Sequence, residues 1–156
     1  MKIKVLCIGK TDEAYITEGL QKYLNRLKHY ASLEFVEIPD IKNRGKLTAE
    51  RLKDEEGRII LSKVSEKDHL ILLDEGGKEF TSMQFSSFLQ KRMIASNDLV
   101  FVIGGAFGFD NSVYSRAHEK IALSKMTFSH QMVRLFFVEQ LYRGFSILKG
   151  EKYHHQ

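Results

Sequence analysis

The stretch Leu99–Asp110, LVFVIGGAFGFD, constrains this chain more than any other. An unbroken apolar run ends in paired glycines, a third glycine follows, and polar residues able to open a helix come next. Such a run reads as a strand buried on both faces, which belongs in a parallel sheet. Glycines at its C-terminal end let the backbone approach a ligand closely and take positive φ. In open α/β sheets that edge is where ligands bind. The pattern predicts a small-molecule-binding α/β domain, and an enzyme.

The rest of the chain fits that frame. With 43% apolar and 28% charged residues over 156 positions, residues 1–156 read as one globular domain with a real core. One proline and no low-complexity tract argue against a linker. The sole cysteine, Cys7, lies in a predicted strand and reads as a buried apolar-like thiol, consistent with a reducing compartment. The N-terminal MKIKVLCIGK lacks the apolar core of a signal peptide, and no apolar run approaches a membrane span, so a cytoplasmic location without membrane contact is expected. A net charge of +4 permits an anionic partner such as RNA without demanding one.

Strands are predicted at Met1–Ile8, Leu33–Pro39, Asp68–Asp74 and Asp98–Gly104. Between them, Ile16, Leu20, Tyr23, Leu24, Leu27 and Tyr30 recur at helical spacing. Thr48 can cap a helix to about Val64, with Leu52, Ile59, Ile60 and Val64 inward. Thr81 or Ser82 can cap another to Ile94, with Phe85, Phe88, Leu89 and Met93 inward. Four alternations of strand and helix predict a mostly parallel sheet with helices on both faces. A short polar helix is expected over Asn111–Lys120, then a segment, Ile121–Phe128, too short for a full strand and loop. Three turns, after Leu73, at Gly104–Gly108 and at Leu123–Phe128, would then converge on one pocket.

The last helix, about His130 to Leu148, carries apolar residues in nearly every direction and must be buried on most sides. Packing against a second subunit would satisfy it; so would a central place in a monomer's core. Arg134, Glu139 and Arg143 interrupt it. Glu139 and Arg143, four apart, read as an ion pair, or else Arg134, Arg143 and His130 face a pocket and hold a phosphate or a base. The tail Gly150–His155 is either frayed or offers Tyr153 for stacking on a base.

Several familiar sites are missing. The glycine turn does not follow the dinucleotide spacing, and Gly77-Lys78 lacks the Ser or Thr of a phosphate loop. The six histidines are scattered without metal-ligand spacing, so no metal is expected. No local arrangement points to a covalent nucleophile.

Taken together, IGGAFG, ALSKMTFSHQMVR and EQLYRGFSILKGEKYHH resemble the RlmH family, with VLCIGK, VEIPD and LLDEGGK extending the likeness over the whole chain. These are small SPOUT-class (α/β-knot) enzymes that methylate N3 of a pseudouridine in bacterial 23S ribosomal RNA. The resemblance implies a C-terminal trefoil knot, which ordinary topology rules would have rejected. It implies S-adenosylmethionine as methyl donor, held by Leu73, Gly104, Leu123, Ser124, Lys125, Met126, Thr127 and Phe128. It further implies a homodimer through the last helix and RNA docking across both subunits, with contributions from His130, Arg134, Arg143, Tyr153 and His154. For catalysis, His130 or His154 would assist deprotonation and Arg134 or Arg143 would stabilise negative charge. Three departures stand out: Ser129 replaces a usual proline, Ala106-Phe107-Gly108 replaces a commoner turn, and His155 replaces a basic residue. Rival functions are methylation of another RNA, such as transfer RNA, and a non-enzymatic ribosome-associated RNA-binding module.

Overall fold

A computed structural model describes residues 1–155. Five strands, β1 (Lys2–Ile8), β2 (Ser32–Ile38), β3 (His69–Glu79), β4 (Leu99–Ile103) and β5 (Glu119–Ala122), form one sheet in the order β2-β1-β4-β3-β5. Every pairing is parallel. The helices are α1 (Ala14–Leu27), α2 (Ala49–Ser62), α3 (Ser82–Ala95), α4 (Asn111–Arg116) and α5 (His130–Leu148). The expected α/β architecture, a parallel sheet with helices on both faces, is what the chain adopts.

Strand alternation divides the core. Ile3, Val5, Cys7, Ile71 and Phe101 point to the face covered by α1, α3 and α5. Leu6, Ile8, Leu70, Leu72, Val100 and Val102 point to the other, under α2 and α4. All five residues of central β4 are buried, as its uninterrupted apolar run required. Cys7 is fully buried, and burial pushes its thiol up to about 12.

Local signals set most helix starts. The Thr48 side chain accepts from Arg51 N, and Thr81 forms a reciprocal capping box with Gln84. α5 begins at His130 and ends at Leu148 as its apolar pattern indicated. It lies between α1 and α3 on the sheet, so neighbours in its own chain cover most of its circumference. The helix packs centrally within its own chain, yet Phe136 stays 42% exposed.

Three expectations are corrected. The helix after Asp110 stops at Arg116, and Glu119–Ala122 is a fifth strand. This strand has four residues and no telling alternation; its pairing with β3 creates it. β3 does not end at Asp74. A bulge between Leu73 and Lys78 loops out the intervening residues, after which Lys78 and Glu79 pair with Ile121 and Ala122. Gly77 there meets the backbone of Ile121 and Lys120 so closely that a Cβ would lie 2.6 Å from it. Finally, Met93 is 41% exposed, because the last turn of α3 overhangs the core it was expected to fill.

Candidate functional site

The three anticipated turns meet because β4 ends, β3 bulges and β5 nears its end at one level of the sheet. Leu73 of β3 pairs with Ile103 of β4 on one side and with Ile121 of β5 on the other. The backbones leaving those positions enclose a cavity of about 310 Å³. Its walls are Leu73–Glu75, the glycine turn, Ile121–Ser124, Met126–Phe128, and His130 and Val133 of α5. Of the residues carried over as donor contacts, Leu73, Gly104, Leu123, Ser124, Met126, Thr127 and Phe128 line it; Lys125 is exposed and does not.

A larger hollow of about 690 Å³ opens at the opposite edge of the sheet, beside Lys4, Asp68 and Asp98. It lies where β1, β2 and β4 begin, and no C-terminal strand end or glycine turn reaches it, so the smaller cavity is the better-built site.

The glycine turn is thin and closely backed. A Cβ on Gly104 would lie 2.9 Å from the ring of Phe109, and one on Gly105 would lie 2.9 and 3.0 Å from the two carboxylate oxygens of Glu56. Gly108 takes φ +79° and donates to Gly105 O at 3.2 Å, closing the turn. Glycine at these places allows backbone, rather than side chains, to form the wall.

The wall's charge is informative. It carries the carboxylates of Asp74 and Glu75 and no lysine or arginine. In a chain of net charge +4, this cavity suits a cation and not a phosphate. Asp74 is fixed by Gly76 N at 2.8 Å and by the Tyr114 hydroxyl, which donates to it. Burial, and then Asp74, push the Tyr114 phenol up to about 12. On the third turn, Ser124 Oγ accepts from Met126 N at 3.0 Å.

Ser129 caps α5 by accepting from Met132 N at 3.1 Å. Its φ of −62° is the value a proline ring fixes, so the departure from proline keeps the backbone and adds a cap. His130 follows on the cavity wall.

Arg134 lies elsewhere. It is 1% exposed and donates to His130 O, Thr11 Oγ1 and Ile8 O at 3.0, 2.7 and 2.7 Å, with Glu37 at 3.6 Å. Its guanidinium ties the start of α5 to the end of β1 and does not reach the cavity wall. Arg143, Tyr153 and His154 form a second cluster. Arg143 pairs with Glu139 at 2.7 Å, as their spacing indicated, donates to His154 Nδ1 at 3.1 Å, and covers the Tyr153 ring at 4.7 Å. Tyr153 also donates to Glu139 at 2.8 Å; burial and the hydroxyl of Tyr23 hold its phenol well above the ordinary range. Thirteen residues of α5 separate this cluster from His130, about 20 Å along the axis. One chain therefore does not bring the two groups together.

Sequence reasoning missed Asp74, Glu75, Phe109 and Val133 on the wall, and Glu56 behind it. The acidic pair was legible at a strand end; Glu56, on a helix far away in sequence, left no local signal.

Two comparisons bear on the chain as a whole. A family profile described as "Predicted SPOUT methyltransferase" matches residues 1–154. A protein of Parabacteroides distasonis, 54% identical over all of both chains, is named "Ribosomal RNA large subunit methyltransferase H". Proteins bearing the same name in Cytophaga hutchinsonii (55% identical, covering 99% of this chain and 100% of the relative) and Porphyromonas gingivalis (50%, all of both chains) are similar to it as well.

Proposed function

The chain belongs to the SPOUT methyltransferase family, and from that premise we propose that it methylates N3 of a pseudouridine in helix 69 of 23S ribosomal RNA, on the assembled ribosome, with S-adenosylmethionine as donor. The observation that carries the reading is the cavity where β4 ends beside the β3 bulge and the end of β5, walled by backbone turns and two carboxylates. Such walls fit a molecule with an adenine to be met by backbone groups and a sulfonium that needs nearby negative charge. Residues 1–156 act as one domain in the cytoplasm, and the C-terminal trefoil knot belongs to the same reading. Among the described residues no helix is long and apolar enough to cross a membrane.

When bound, S-adenosylmethionine supplies an electrophilic methyl carbon. The N3–C bond forms as the S–C bond breaks, its electron pair stays on sulfur, and the N3 proton is lost. Alignment and exclusion of water provide much of the rate, which the enclosing turns supply. His130, on the wall, is placed to take the N3 proton. Arg134 acts behind it, holding the His130 carbonyl and hence the turn. Arg143, Tyr153 and His154 contact RNA and stabilise charge on the flanking carbonyls, with His154 the second candidate for the proton.

That last assignment needs a second copy of the chain, because the cluster stands about 20 Å from the cavity along its own helix. A homodimer through α5 is supported by exposed aromatics beside the site. The rings of Phe128 and Phe136 lie 5.3 Å apart at the surface, next to an apolar hollow lined by Phe80, Phe85 and Leu123. Phe136→Glu is expected to convert a sedimenting dimer into monomers and to abolish methylation together.

The deciding experiment offers ribosomes, free large-subunit RNA and transfer RNA with labelled donor, followed by mass spectrometry of the product. Methylation of pseudouridine N3 on ribosomes supports the reading, transfer-RNA methylation replaces it, and no heat on titrating the donor supports a non-enzymatic module. Wild-type single-turnover rates in His130→Ala, His154→Ala, Arg134→Ala and Arg143→Ala alike would remove the catalytic assignment.

A further inference from the structure

Glu56 is a charged side chain with no visible structural use. It sits in the middle of α2, is 5% exposed, and among the described residues it accepts no hydrogen bond and joins no ion pair. Both carboxylate oxygens press against the outer side of Gly105, whose inner side is cavity wall. One peptide thus separates a largely buried carboxylate from the space assigned to the ligand. Burial pushes the carboxyl above its ordinary range; Arg44 opposes this from a distance, but Arg44 is paired with Asp40 at 3.2 Å. Leaving a buried carboxylate unpaired costs stability, and a neutral or apolar side chain of that length would serve the core better.

The missing counter-charge fits a ligand. We propose that Glu56 is a charge-selecting residue of the donor site, favouring a sulfonium donor over its uncharged thioether product by acting through the Gly105 peptide. The inference rests on the cavity's being the donor site. Methyl transfer turns the sulfonium into a neutral thioether, so the charge that helps hold the donor ceases to hold the product. Asp74 and Glu75 share the potential from inside the wall. Glu56 differs in being 5% exposed with no hydrogen-bond donor against it among the described residues, so little screens its charge from a cation beyond the Gly105 peptide. Glycine at position 105 is what lets the carboxylate stand so close.

The test compares wild type, Glu56→Gln and Glu56→Asp, titrating S-adenosylmethionine and S-adenosylhomocysteine calorimetrically and melting each ligand-free protein. In Glu56→Gln, donor affinity is expected to fall about tenfold, the size of one ordinary charge effect on a titrating group. Product affinity should stay within twofold by the same estimate, and the ligand-free protein should melt at or above the wild-type temperature. Glu56→Asp, which keeps the charge, should restore most of the donor preference. An unchanged donor-to-product ratio in Glu56→Gln overturns the proposal. So does a ligand-free Glu56→Gln that is destabilised or unfolded, since the carboxylate would then be structural. Wild type that binds neither compound would overturn the donor-site reading itself, a result distinct from either.

Discussion

The two rims of the sheet are built on opposite terms. At the rim where β3, β4 and β5 begin, polar groups pair with one another, Arg92 Nε excepted. His69 Nε2 meets Glu119 at 2.6 Å, Glu119 meets Arg92 at 3.0 Å, and the Leu70 N–H donates to His118 Nδ1 at 3.0 Å. The two imidazoles stack 4.4 Å apart, while Arg116 donates to the carbonyls of Ser65 and Asp68. At the rim where those strands end, glycines thin the wall, Glu56 has no hydrogen bond or ion pair among the described residues, and Met126 is 77% exposed. The first rim uses its polar groups to hold the fold. The second keeps some of its own for a ligand, and this rather than cavity size separates the site from the larger hollow on the other side.

Substitutions can test that contrast, and the largest effect is expected where the open rim is itself tightly built. Gly77→Ala would push a Cβ to 2.6 Å from the Ile121 backbone, which has no free side-chain end to yield. A loss of roughly 3–5 kcal/mol is expected in chemical denaturation, since overpacking against backbone separates β3 from β5. Arg134→Met comes next. It strands the Ile8 carbonyl and removes the tie from β1 to α5, for an expected cost of about 2–4 kcal/mol. If the guanidinium instead faced RNA, stability would hold and only substrate affinity would fall. Ser129→Ala should cost about 1 kcal/mol by removing the cap. Ser129→Pro loses the same cap, but proline fixes the φ already present and so should recover part of that loss, falling between Ser129→Ala and wild type.

The smallest effect belongs to the paired rim and concerns pH. Burial, then the neighbouring His69, holds His118 below the ordinary imidazole value of 6.5, and its Nδ1 must stay unprotonated to accept from Leu70. The unfolded chain therefore binds this proton more readily than the folded one. The stabilisation is complete above pH 6.5 and is lost as pH falls through the lower folded value. His118 is exposed, so thermal melts should show only a shallow decline on acidification, and His118→Gln should flatten it. A steeper decline in the variant than in wild type would contradict the assignment.

Much of this was legible in the sequence, for reasons that differ by element. The run LVFVI reads as a doubly buried strand, and the glycines after it as either a close approach to a ligand or a plain tight turn. Thr48 and Thr81 announced their helices through caps, which are local chemistry. The Glu139–Arg143 pair followed from helical spacing. By contrast, β5 became a strand because β3 was there to pair with it, and the bulge after Leu73 was invisible in a stretch that reads simply as a turn. The partners of Arg134 come from β1, the loop after it and β2, more than 90 residues away, so its sequence neighbourhood could not distinguish a tie from a ligand contact.

By itself, then, the sequence determined which segments are strands and helices where periodicity, caps and glycines act over a few residues, and it marked the sheet edge where a ligand would sit. Tertiary structure alone decided the strand order, the shared level of Leu73, Ile103 and Ile121 that makes three turns meet, the fifth strand, and the placing of Glu56 behind Gly105. The division has a physical cause. Backbone preferences and caps are fixed by neighbours along the chain, whereas the fate of a buried charge depends on groups that only folding brings within reach.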